Sequence, residues 1–127
     1  GYAIWRQTFD KRGHRIESAF FGIDDKPVLH QAGYAGWRDT FDARDNHTER
    51  TYFGQDGMPI LSREGYAKWQ RTYDERGNAV HVAYTGLDGT SVENIEGCAQ
   101  TFITYDLRGE KISMRCLNIE GRRKWSY

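Results

Sequence analysis

Large side chains recur along this chain in short alternating runs, not at helical spacing. Trp69 and Tyr73 sit an even number of residues apart, as do Val80 and Tyr84, and polar residues fill most of the places between. Asp, Arg, Gly and Asn separate the two runs, so the stretch reads as a β-hairpin. The pattern occurs four times: GYAIWRQTFDKRGH opens at Gly1, GYAGWRDTFDARDN at Gly33, GYAKWQRTYDERGN at Gly65 and the degenerate GCAQTFITYDLRGE at Gly97. The copies occupy 1–32, 33–64, 65–96 and 97–127. A fixed period of about 32 residues indicates one repeat domain built of tandem units.

Superposed, the copies predict strands, turns and register. The turn D-x-R-G-N places Asp at its start and Gly, or Asp45 in the second copy, where positive φ is required. A second turn of the G-x-D-G type, as at Asp56-Gly57 and Asp88-Gly89, leads into a short third segment such as Pro59-Ile60-Leu61. Facing Trp5 with Phe20 also faces Trp37 with Tyr52, Trp69 with Tyr84, Phe9 with Ile16 and Tyr73 with Val80. The same register sets Asp39 against Arg50 and Ile103 against Met114, so charge meets charge and apolar meets apolar. A slip by one residue would put Trp5 opposite Ala19 and Phe9 opposite Arg15 and turn the apolar set outward.

One face of the expected sheet therefore carries Trp5, Trp37 and Trp69, with Phe9, Phe41, Tyr73 and Tyr105, and with Phe20, Tyr52 and Tyr84. A lone hairpin is marginal in water, so each unit is expected to bury this face on its neighbours. The opposite face carries Thr8 across from Glu17, Thr40 across from Glu49, and Arg6 and Arg38. The fold class expected is all-β, with hairpins joined in a continuous twisted sheet or a β-solenoid. The fourth copy lacks the Trp and ends in Arg122-Arg123-Lys124-Trp125, as a terminal cap or the start of a differing unit would.

Composition narrows the function classes. Eighteen basic and eighteen acidic residues cancel, which removes the electrostatic signature of a nucleic-acid or acidic-membrane binder. With aromatics at 14%, the chain is too rich in large rings for a disordered segment. No apolar run approaches the roughly 18 residues of a membrane span. The chain opens on a repeat boundary without Met, and the expectation is a piece of a longer protein flanked by other domains.

The Tyr/Phe-Asp-x-x-Gly-Asn elements, Tyr73-Asp74-Glu75-Arg76-Gly77-Asn78 above all, resemble bacterial tandem β-hairpin repeats of the YD or RHS type. That resemblance implies an elongated or spiralling β-sheet serving as shell, stalk or adaptor. The present period is longer, with two turns sharing one unit. The stretch from Tyr52 to Tyr66 is also similar to the hairpins of choline-binding and glucan-binding modules, which hold ligands between aromatics of successive hairpins. Neither resemblance brings a catalytic residue.

Candidate chemistry lies in columns. The Trp column reads first as core and second as sugar or cation pockets. Tyr2, Tyr34 and Tyr66 are assigned to the outer face, where they are ligand candidates. Arg12, Arg44, Arg76 and Arg108 hold one turn position in every copy and would form a ladder. It either receives an anionic polymer or acidic partner, or pairs locally with the Asp column. His14, His30, His47 and His81 fall at unrelated positions, read as solvated, and give no metal site. Cys98 and Cys116 are expected on opposite faces, as free thiols. No nucleophile with a base, phosphate loop or cofactor motif is present, so no catalytic residue, metal or cofactor is assigned.

The reading that results is a non-catalytic interaction module that recognises protein through its Thr/Arg/Tyr face and turn edge. A carbohydrate-binding module with aromatics at the repeat junctions is the alternative. A structural spacer is the third.

Overall fold

The computed structural model describes residues 4–21, 26 and 33–126, with Ile4, Trp5, Trp125 and Ser126 described by backbone alone. Among the described residues, nine strands form one antiparallel sheet in strictly sequential order. They are β1 (Ile4–Phe9), β2 (Arg15–Phe21), β3 (Gly36–Phe41), β4 (His47–Phe53), β5 (Lys68–Tyr73), β6 (Ala79–Thr85), β7 (Gln100–Tyr105), β8 (Lys111–Leu117) and β9 (Arg123–Ser126). Strands β1 and β9 are the two edges, and the sheet is open. Among the described residues no helix is long and apolar enough to cross a membrane.

Each tight hairpin turn is built by its aspartate. Asp74 Oδ1 accepts the N–H groups of Arg76 and Asn78, both at 2.9 Å, and Asp10, Asp42 and Asp106 bind the corresponding amides at the same distance. These bonds hold the carboxylates of Asp10, Asp42 and Asp74 below the usual carboxylate range, because their first effect is to stabilise the charged form. The turn needs one left-handed residue. Gly77 supplies it at φ 83°, and Asp45 does so in the second copy at φ 69°.

The predicted register holds through most of every hairpin. Trp5 pairs with Phe20, Trp37 with Tyr52 and Trp69 with Tyr84, while Asp39 pairs with Arg50 and Ile103 with Met114. The last pair departs from it. A bulge follows Thr8, Thr40, Thr72 and Thr104, so Phe9 faces Arg15, Phe41 faces His47, Tyr73 faces Ala79 and Tyr105 faces Lys111. Phe9 does not face Ile16, nor does Tyr73 face Val80: the Asp-centred turn spends one extra residue on the second strand. Phe9 is accordingly 56% exposed, not core, and Phe41, Tyr73 and Tyr105 are half-buried. The tyrosines use their polar tips: Tyr73 Oη donates to His47 O and Tyr105 Oη to Ala79 O, each at 2.6 Å, across to the preceding hairpin.

The core lies on one side of the sheet. Trp37, Tyr52, Tyr66 and Trp69 form its buried cluster, with Phe20, Tyr34, Ile60, Tyr84 and Val92 packed around them. The third segments cover this side by folding back: Ile60 N–H donates to Tyr52 O at 3.0 Å and Val92 N–H to Tyr84 O at 3.2 Å. Trp5 and Tyr2 as core and ligand candidates, and the histidine at position 30, lie outside what the structure describes of side chains.

A third turn type was not anticipated. Asn94 Oδ1 accepts the amides of Glu96 and Cys98, and Asn118 Oδ1 those of Glu120 and Arg122. Gly97 and Gly121 are both left-handed in these turns, as are Gly33 and Gly65 at the same sequence position. The chain then enters β9, whose Arg123 pairs with Leu117 as Pro59 pairs with Phe53 and Ser91 with Thr85.

Candidate binding surfaces

The tyrosine column sits on the indole side, not the outer one. Tyr66 is 6% exposed and Tyr34 is half-buried. Tyr34 packs on Tyr52 with ring centroids 4.7 Å apart, and Tyr66 on Tyr84 at 4.6 Å. Alternation assigned them wrongly because they precede the strands, and the left-handed glycine before each one resets which way the side chain points. Burial, followed by the bond that Tyr66 Oη donates to Glu64 Oε2 at 2.6 Å, pushes the Tyr66 phenol far up. Neither Tyr34 nor Tyr66 is an exposed ligand platform.

The cysteines occupy the same two columns in the fourth copy, and so they meet. Cys98 and Cys116 form a disulfide with Cα atoms 5.4 Å apart. The expectation of two free thiols on opposite faces is overturned. The bridge stands where Tyr34–Tyr52 and Tyr66–Tyr84 stack in the earlier copies.

Along the turn edge the arginines are engaged by backbone. Arg12 donates from Nη1 to Asp42 O at 3.2 Å and from Nη2 to Ala43 O at 3.0 Å, and pairs with the Asp45 carboxylate. Arg44 donates to Glu75 O at 3.2 Å, and Arg76 to Leu107 O. Each guanidinium reaches one hairpin forward, to carbonyls at the turn's tip. Arg108 has no such acceptor among the described residues. Sequence spacing aligned the four arginines, but their carbonyl partners carry no sequence signature.

Between β3 and β4 lies a buried ionic cluster. Arg50 holds Asp39 in a fork, Nε to Oδ1 at 2.7 Å and Nη2 to Oδ2 at 3.0 Å, and Asp39 is 5% exposed. Burial pushes the Asp39 carboxyl up, but contacts with His47 and Arg50 outweigh it and the net direction is down. His47 Nε2 lies 3.0 Å from Asp39 Oδ1. The Arg50 guanidinium also lies 4.7 Å from the Trp37 ring and 5.9 Å from that of Trp69. The indoles are therefore glued by a cation as well as by rings.

The three described histidines are partnered, not solvated. His14 stacks on Phe41 at 4.1 Å and contacts the Asp10 and Asp45 carboxylates, both at 3.2 Å. On the other side of Phe41 stands His47, at 4.8 Å. His81 packs on Phe102 and bonds Gln100 Oε1 at 2.9 Å. Among the described residues no three His, Cys, Asp or Glu side chains group as a metal cage.

The outer face presents a recurring arrangement. Arg6 lies over the Phe21 ring at 4.6 Å and Arg38 over Phe53 at 4.8 Å. Thr8 faces Glu17 and Thr40 faces Glu49, as expected, and Arg38 Nε comes within 3.5 Å of Glu17 between hairpins. A shallow groove of about 130 Å³ opens there, lined by Phe21, Gly36, Arg38 and Phe53 among others. A Cβ on Gly36 would stand 2.4 Å from Ser18 O, so only glycine allows β3 this close to β2.

No family model matches the chain, and no curated protein is similar to it.

Proposed function

We propose that the chain is a non-catalytic binding scaffold: four tandem hairpin units of the YD/RHS-like type, part of a larger bacterial protein, that recognises a protein partner. The observation that carries this reading is the pair of exposed guanidinium-on-ring contacts, Arg6 on Phe21 and Arg38 on Phe53, one hairpin pair apart on the outer face. Arg38 and Glu17 keep side-chain exposures of 61% and 48%. Arginine and aromatic side chains together are what protein interfaces enrich. The aspartates of the turns, with Arg12, Arg44 and Arg76, are already spent on the backbone, which supports a scaffold role for that edge. A glycan platform made of the tryptophan column has too little surface, since Trp37 and Trp69 are 8% and 7% exposed. Regular unit stacking extended beyond the open sheet would make a solenoid.

The reading is tested by affinity capture with the wild-type chain beside the Arg6→Ala/Arg38→Ala variant. The expected result is a protein that the wild type retains in a salt-sensitive manner and the variant releases, with both variants of equal Tm. Identical captured sets would refute recognition through this face.

A further inference from the structure

The pair at the centre of each hairpin differs from copy to copy, and in the third copy it is unbalanced. Asp39 faces Arg50, and Ile103 faces Met114, but Arg71 faces Val82. The Arg71 guanidinium carbon lies over the indole, 3.9 Å from the Trp69 ring centroid, and the residue is half-buried. Among the described residues no carboxylate or hydrogen-bond acceptor meets it. A guanidinium held over a ring keeps N–H donors available to an anion, and their fork suits a carboxylate.

Beside it the sheet leaves room. Thr101 stands where the other copies have Trp, and a groove of about 380 Å³ runs past Trp69, Arg71, Tyr84, Ile103, Tyr105 and Lys111. Its volume is that of a small-ligand site. Two cations line it and no carboxylate does. Of the acids around it, Glu64 is engaged by the Tyr66 hydroxyl, Asp74 by the amides of its own turn, and Glu96 lies beyond Tyr84 in the adjoining groove. A second groove of about 260 Å³ shares Val82, Tyr84 and Ile103 with it and continues toward Cys98.

We propose that this groove is a binding site for a uronic-acid residue of an acidic polysaccharide: the sugar carboxylate takes the Arg71 fork, Lys111 adds a second positive contact, and the C–H face of the sugar ring lies on Tyr84 and Tyr105. A carboxylate alone, such as an acidic peptide side chain, satisfies the arginine but leaves the rings uncovered; a neutral sugar covers the rings and leaves the cation unmet. The site is on the indole side, opposite Arg6 and Arg38, so its failure and that of the protein-binding face are separate results.

The test titrates a tri-galacturonate into the folded, disulfide-intact chain and follows the Arg71 Nε–H and Trp69 Nε1–H resonances, with a neutral glucose trimer and a triglutamate peptide in parallel. Saturable shifts with the uronate, weakened by salt, are expected, and the two controls should bind about tenfold more weakly or worse. Arg71→Gln should weaken uronate binding by about tenfold or more. Lys111 is exposed, so Lys111→Glu tests the site without risk to the fold and should abolish binding. The proposal is overturned by absence of saturable shifts, by equal binding of either control, or by unchanged binding in Lys111→Glu.

Discussion

Two junctions on the indole side are built on the same backbone and held by different forces. Around the second hairpin, where it meets the third, Trp37, Arg50 and Trp69 pack cation on ring, Asp39 neutralises the cation, and Tyr34 stacks on Tyr52 at 4.7 Å. Around the fourth, where the third meets it, Thr101 replaces the indole, Ile103 and Met114 replace the ion pair, and the Cys98–Cys116 disulfide replaces the tyrosine stack. Strand pairing fixes the positions of these side chains, and any contact that fills the space will do. Where filling falls short, as beside Arg71, a groove remains.

The comparison is broken most strongly at its aromatic end. Trp69→Ala is expected to cost about 3–5 kcal/mol, because the indole touches both junctions. Urea unfolding with an m-value unchanged from wild type would measure it. The ion pair gives a sharper contrast. Asp39→Ala alone should cost about 3–5 kcal/mol by stranding a buried cation, whereas Asp39→Ile/Arg50→Met, which copies the fourth hairpin, should fall within about 1 kcal/mol of wild type. A double variant as unstable as the single would mean that the ion pair, not merely filled volume, is required.

Reducing the disulfide should destabilise the fourth hairpin by about 3 kcal/mol, the value for a closed loop of this length. Intact mass before and after reduction, which should differ by two hydrogens, verifies the bond, and hydrogen exchange locates the loss in β7 and β8. Cys98→Tyr/Cys116→Tyr tests whether a stacked pair restores the stability and makes it indifferent to reductant.

Acid should act on the two junctions unequally. The folded Asp39 carboxyl is depressed, so its stabilisation is complete above the ordinary carboxylate value of about 4 and drains away as pH falls through the lower folded value. Amide exchange in β3 and β4 should therefore accelerate in acid before that of β7 does. Asp39→Ile/Arg50→Met should remove the difference. Smallest of all, Arg44→Ala should cost about 0.5–1 kcal/mol, since it deletes one exposed bond to Glu75 O, and a shift in Tm would record it.

Pairing and turns were legible because they are local. The cross-strand match of Trp37 with Tyr52 and of Asp39 with Arg50 follows from alternation and chemistry alone. Failures began where alternation stops. Phe9 lies beyond a bulge, and Tyr34, Tyr66 and Cys98 lie before their strands, so parity could not assign their side. One signal was readable and missed: Asn94-Ile-Glu-Gly97 and Asn118-Ile-Glu-Gly121 have the same spacing as Asp74-Glu-Arg-Gly77, and would have marked the third turn and the start of β9. The groove beside Arg71 was half visible. The missing Trp at Thr101 showed in the sequence, but the unmet cation needed knowledge of which groups surround it.

The arginine edge has a sense of direction. Arg12, Arg44 and Arg76 each hand a donor to the turn that comes later in the chain. Peeling hairpins from the N-terminal side takes away a donor at each step, and peeling from the opposite side takes away its acceptor. Both groups lie at the surface, where water takes up whichever is left. Each hairpin is thus latched to the next by one reversible contact at its tip, and the sheet can open from either end a hairpin at a time.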